Sequence, residues 1–201
     1  MPNWVTNNIV ITGPKETLEL FERDNLSFQK FHPRPTDENL DWYEWNVAHW
    51  GTKWEPDDLS VNFDADGRLV GKCTTAWTPP TAYLTYLTCF WEGITITNRF
   101  VDESFNFVGL ATMSKGVANT EFIEPTDYSL LALRKFAQTH KWYDFTNYEI
   151  MMHSLNGCSD DSACACFEKQ DAQKDDVVVN VKTETYGQML TKASNSFEQM
   201  T

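Results

Sequence analysis

Thirteen consecutive residues, Trp42-Tyr43-Glu44-Trp45-Asn46-Val47-Ala48-His49-Trp50-Gly51-Thr52-Lys53-Trp54, carry four of the chain's eight tryptophans. Trp77 follows in Thr75-Ala76-Trp77-Thr78-Pro79-Pro80. Each indole brings a large apolar surface and one N–H donor, so a cluster this dense is either packed into a core or presented to a partner. At 201 residues the chain can bury a substantial core, as one domain with an extension or as two small domains.

The periodicity around this run alternates between two and 3.6. Residues 4–12 alternate with β-branched enrichment (Val5, Ile9, Val10, Ile11) and stop at Gly13-Pro14, which predicts a strand. Pro14 suits the first turn of a helix, and Leu18, Leu20 and Phe21 give residues 15–24 an apolar stripe. Leu26 to Phe31 alternate again and predict a second strand, before the extended His32-Pro33-Arg34-Pro35. A short helix over 41–49 would place Trp42, Trp45 and His49 on one side and end at Gly51. Residues 57–63 and 68–76 predict a hairpin across Asp64-Ala65-Asp66-Gly67. A helix over 81–91 and strands over 94–100, 105–112 and 117–123 complete the pattern. This order predicts an α+β fold: a ferredoxin-like, split βαβ antiparallel sheet with helices on one face.

Composition changes after Pro125, which divides the chain into a ferredoxin-like domain (1–125) and a mainly helical C-terminal extension (126–201). The extension reads as a helix over 127–143, a polar loop over 156–176, a short strand over 177–181 and a terminal helix. A lone strand needs a sheet edge, its own or a neighbour's, which makes Val177, Val178, Val179 and Val181 candidate partner contacts.

The formal net charge of −13 argues against direct nucleic-acid binding, which needs clustered Lys and Arg. No apolar run approaches the roughly 20 residues of a membrane span. The start, Met1-Pro2-Asn3-Trp4, lacks a basic and then apolar leader, so an intracellular location, or assembly from an intracellular pool, is expected. Five cysteines, an odd number, favour reduced thiols.

Several residue sets invite sharper chemistry. Lys53 among tryptophans would suit a ligand platform, although Gly51 also permits a tight turn that lets the indoles seal one end of the sheet. Glu44, His49, Lys53 and Glu55 are candidates for an acid–base set, but a histidine amid tryptophans is more often a packed, hydrogen-bonded ring. Cys158, Cys164 and Cys166, near His153, have spacing unlike the C-x2–4-C of structural zinc sites. Asp64-Ala65-Asp66-Gly67 lacks the further acids of a calcium loop. No phosphate-binding glycine loop, nucleophile elbow or HExxH is present. No cofactor, metal or catalytic residue is expected.

Five pieces carry a family resemblance: Met1-Pro2-Asn3-Trp4 leading to Asn8 and Ile11-Thr12-Gly13-Pro14; Phe31-His32-Pro33-Arg34-Pro35; Trp42-Tyr43-Glu44-Trp45; Trp50-Gly51-Thr52-Lys53-Trp54; and Thr75-Ala76-Trp77-Thr78-Pro79-Pro80. In this order they resemble the YubB-like, ferredoxin-like family carried by phages, plasmids and large DNA viruses, over about the first 115–125 residues. Val5 stands where members usually have Cys. The resemblance implies a ferredoxin-like sheet and a viral or mobile-element origin, and no activity. Trp42, Trp45, Trp50, Gly51, Thr52, Lys53, Trp54, Trp77, Pro79 and Pro80 form its signature cluster, expected to be structural. The functional expectation is a non-enzymatic structural or interaction protein, a minor capsid protein or another virion component, with other proteins as partners. The alternative is an acidic, soluble inhibitor that acts as a decoy for a host defence or nucleic-acid enzyme.

Overall fold

A computed structural model of the chain describes residues 3–103, 107–123 and 180–198. The chain divides into two units, Met1–Phe122 with Asn180–Thr201, and Ile123–Val179. The architecture below is that of the first unit. The expected helix over 127–143, the polar loop and Val177, Val178 and Val179 lie outside the described residues.

Alternation sets β1 (Trp4–Thr12), whose Val5, Asn7, Ile9 and Ile11 are buried on one face. Helix α1 (Lys15–Arg23) turns Leu18 and Phe21 onto that layer. Residues 26–31 correct an expectation, because they do not form a strand. Asn25 and Leu26 adopt positive φ (51° and 49°), which breaks an extended run. Ser27 then caps a four-residue helix, α2 (Phe28–Phe31). The Glu55 carboxylate completes that cap by accepting the Phe28 N–H (2.6 Å) and the Ser27 hydroxyl (2.8 Å). Helix α3 (Trp42–Trp50) is capped by Asp41, which accepts the Tyr43 and Glu44 N–H groups, and ends at left-handed Gly51.

Strands β2 (Ser60–Phe63) and β3 (Leu69–Ala76) form the expected hairpin, and α4 (Thr81–Phe90) returns the chain to β4 (Thr95–Asp102). Strands β5 (Val108–Ser114) and β6 (Val117–Ile123) flank Lys115-Gly116, both at positive φ, the conformation of a two-residue hairpin turn. Strand β7 (Asn180–Thr185) leads into α5 (Tyr186–Glu198).

The sheet order is β2-β3-β1-β4-β5-β6-β7. β1 pairs antiparallel with both β3 and β4, placing Asn7 opposite Cys73 and Phe100. Two antiparallel steps make β1 parallel to β2 with β3 between them, and β3 parallel to β4 with β1 between them. That is the split βαβ arrangement of a ferredoxin-like fold. β7 adds to β6 of its own sheet, with Val181 opposite Glu121 and 71% exposed. Glu184 pairs with Lys182 and Lys192, and the Tyr186 N–H reaches the Gly116 carbonyl at 3.0 Å. Among the described residues, no helix is long and apolar enough to cross a membrane.

The core lies between the sheet and the helices. Phe28 stacks on Tyr83 (3.8 Å) and meets Trp50 edge-on (5.7 Å), while Phe21, Phe31 and Trp91 form a mutually edge-on trio at 5.0–5.5 Å. A buried polar chain runs across it. Asn98 Nδ2 donates to Asn7 Oδ1 (2.9 Å), Asn7 Nδ2 to Thr75 Oγ1 (2.9 Å), and the Thr75 hydroxyl to the Thr78 carbonyl (2.8 Å).

Candidate functional site

That polar chain ends at the turn leaving β3, where Trp77 sits. Trp77 has φ 69°, and the Thr78 N–H closes back onto the Ala76 carbonyl at 2.9 Å. A three-residue turn with a positive central φ is the rare, strained form of the γ-turn. For a bulky side chain, such a conformation persists only when the surroundings over-determine it. Here they do. The Trp77 N–H donates to Asn3 O (2.8 Å), and the Thr78 hydroxyl bonds the Gly51 carbonyl. Buried Thr52 both accepts the Ala76 N–H (3.2 Å) and donates to the Ala76 carbonyl (3.0 Å). Gly51 is required by its φ of 79° and by space, since a Cβ there would lie 3.2 Å from Ala82 N and 3.3 Å from Pro79 O. Pro80 is buried beside it.

The strained turn leaves Trp77 39% exposed, so its indole does not seal the end of the sheet as the structural expectation has it. Its ring meets Tyr43 edge-on at 6.0 Å, and Tyr43 meets Trp42, itself 47% exposed, at 6.0 Å. The Lys53 ammonium lies 4.8 Å from the Trp77 ring centre, 4.9 Å from Trp54 and 5.9 Å from Tyr43. Asn46, buried, fixes the Lys53 backbone by donating to its carbonyl (2.7 Å) and accepts from Arg34 (3.2 Å). Beyond Lys53, Trp54 meets Trp4 at 6.1 Å. The result is a row of rings from Trp42 to Trp4 with one cation in its middle.

The expected signature cluster is therefore divided. Trp45 and Trp50 face the core, with Trp50 only 1% exposed and its Nε1–H bonded to the His32 carbonyl (3.0 Å). Gly51, Thr52, Pro79 and Pro80 build the turn, whereas Trp42, Lys53, Trp54 and Trp77 form the row. Tyr43 and Trp4, both half-buried, also belong to the row; both stand in the signature motifs, but nothing in the sequence marks them as its neighbours. The candidate acid–base set is dispersed among structural tasks. Glu55 caps α2, His49 Nδ1–H donates to the Trp45 carbonyl (2.9 Å), and Lys53 sits among rings. Trp42 does not share the setting of Trp45 and His49, which stack on each other at 4.2 Å.

On the α5 side, His32 stacks on Tyr86 (3.6 Å) and shares a 2.8 Å hydrogen bond with the Tyr186 hydroxyl. Burial, with His49 5.5 Å away, lowers its pKa to about 4, so the ring is neutral near pH 7. Burial and the nearby Asp58 raise the Cys73 thiol to about 12, leaving it unreactive. Among the described residues, no group of three or more His, Cys, Asp or Glu is arranged to hold a metal ion. Cys158, Cys164 and Cys166 lie outside them.

A family model described as the ferredoxin-like domain in Api92-like protein matches residues 49–146, just under half of the chain. The match supports a ferredoxin-like domain family. It begins at His49 and so includes Trp50–Trp54 and the Trp77 turn, while β1 and Trp42 precede it. No curated protein and no solved structure matches the chain.

Proposed function

We propose that this chain is a non-enzymatic interaction protein whose contact surface is the row formed by Trp42, Tyr43 and Trp77 with Lys53 at its centre. The observation that carries this reading is the strained turn at Trp77. Four separate hydrogen-bonded anchors hold a bulky side chain in a costly conformation whose effect is to point its ring at solvent. The backbone conformation alone favours glycine there. Exposed Trp and Tyr are also the side chains that dominate protein contact surfaces. The setting that fits is a minor capsid protein or another virion component, in the virion or the host cytoplasm, with other virion proteins as partners; the sequence resemblance supports it. The acidic decoy remains the second reading, favoured by carboxylates that gather beside Trp4 and Trp54.

The test is to isolate complexes of the tagged chain from its own host, alongside the double variant Trp42→Ala, Trp77→Gly. The variant should still unfold in one cooperative transition and lose the partners that the native chain retains. A folded variant that retains every partner would overturn the proposal. Purified particles should contain the chain at a fixed copy number, and its absence from them would refute the virion setting.

A further inference from the structure

At its Trp4 end the aromatic row opens into a cleft of about 370 Å³, lined by Trp4, Trp54, Asp57, Asp58, Thr74 and Glu103. Its walls are two indoles set at 60° to each other. Its rim is acidic and fixed by backbone. The Glu103 N–H donates to the Trp4 carbonyl (2.8 Å), which ties the residue to the end of β1. Asp58 is clamped by the Thr74 N–H (2.8 Å) and hydroxyl (2.7 Å). None of Asp57, Asp58 and Glu103 has a cationic partner among the described residues, and Asp57 and Glu103 are exposed. The cleft thus combines aromatic faces with uncompensated negative charge, in a chain whose net charge is −13.

We propose that this cleft receives an arginine side chain from a basic segment of a protein partner. The proposal rests on the contact-surface reading above and names the chemistry of the partner. A guanidinium is planar, stacks on indoles and offers a fork of donors that matches carboxylates, whereas a compact ammonium does only the last of these, without the fork. Phosphate-bearing partners are repelled by the same carboxylates. Lys53 lies 4.9 Å from the Trp54 wall and 4.8 Å from Trp77, so the guanidinium takes the side of the cleft lined by Trp4, Asp57, Asp58 and Glu103, and Trp42, Tyr43 and Trp77 are left for the residues that follow it.

The probe is an acetylated, amidated tetra-arginine peptide, with its tetra-citrulline counterpart as the neutral isostere. Each is titrated into the isotope-labelled full chain while the indole N–H signals are followed. The tetra-arginine peptide should shift the Trp4 and Trp54 signals, and tetra-citrulline should leave them in place. Asp57→Asn with Glu103→Gln should weaken binding roughly tenfold. Glu16→Gln with Glu38→Gln changes net charge equally on exposed sites elsewhere and should weaken it less than about twofold. Equal losses in the two pairs would mean diffuse attraction to an acidic surface and would overturn the proposal, as would unmoved Trp4 and Trp54 signals. The two readings separate cleanly. Trp42→Ala with Trp77→Gly leaves every residue lining the cleft in place, so the peptide should still shift the Trp4 and Trp54 signals in that variant. Loss of native partners in that variant without peptide binding to the native chain would sink the arginine cleft and leave the contact surface standing.

Discussion

Replacing Trp77 by glycine should leave the fold more stable than replacing it by alanine, although both lose the burial of the covered part of the ring. Four contributions set the balance. A non-glycine residue in this backbone conformation costs about 1–3 kcal/mol. Glycine recovers that strain but gains about 0.4–1 kcal/mol of unfolded-state freedom relative to alanine. Both variants lose the ring's contacts, about 0.5–1 kcal/mol with Lys53 and about 0.5–1.5 kcal/mol with Tyr43. Both also lose the burial of the covered part of the ring, about 2 kcal/mol, so glycine should lie about 2–3 kcal/mol below the native chain. Alanine keeps most of the strain without the contacts, so glycine should exceed it by about 1 kcal/mol, a difference of about 2–4 °C in Tm at this chain length. Chemical and thermal denaturation of the three proteins measure this directly. Alanine equal to or better than glycine would show that the turn is not strained. A glycine variant weakened by about 5 kcal/mol or more would make Trp77 a core residue.

Other substitutions separate core from surface. Trp50→Ala should cost about 3–5 kcal/mol by denaturation, because it empties a site packed against Phe28 and Trp45, whereas Trp42→Ala should cost less than about 1 kcal/mol. Thr52→Val strips the Ala76 N–H and carbonyl of a buried partner and should cost about 1–3 kcal/mol. His32 is less basic folded than unfolded, so the unfolded chain binds the extra proton as pH falls from about 6.5 to about 4, and stability falls through that window. After allowance for the ring's partial solvent access the loss is about 1–2 kcal/mol. His32→Phe should remove that component, seen as a flatter difference in unfolding midpoint between pH 7 and pH 4.

Much of the fold is legible where local pattern and tertiary packing agree. β1 alternates because one face meets helices, and Gly13-Pro14 stops it where expected. Residues 26–31 mislead for a physical reason. Leu26, Phe28 and Phe31 are all buried, but the turn at Asn25 and Leu26 and a cap supplied by distant Glu55 decide for helix, and neither leaves a periodic signal. β7 includes Asn180 and Val181 of the expected strand and runs on past its expected end. Apolarity drew attention to the valines, while the paired strand runs through Lys182, Thr183, Glu184 and Thr185, the polar composition that protects a sheet edge. The aromatic row is legible as residue types only. Which tryptophans face outward depends on the sign of φ at Trp77 and on the Asn7–Thr75–Thr78 chain that fixes it, both products of long-range pairing.

On the proposed reading, Trp42 and Trp77 are a contact surface and Trp50 is a core residue. Residue-resolved oxidative footprinting of tryptophan, on the isolated chain and on its native complex, tests this most directly. Trp42 and Trp77 should be modified in the isolated chain and protected in the complex, with Trp50 unmodified in both. Equal modification of Trp42 and Trp77 in the two samples would contradict the account.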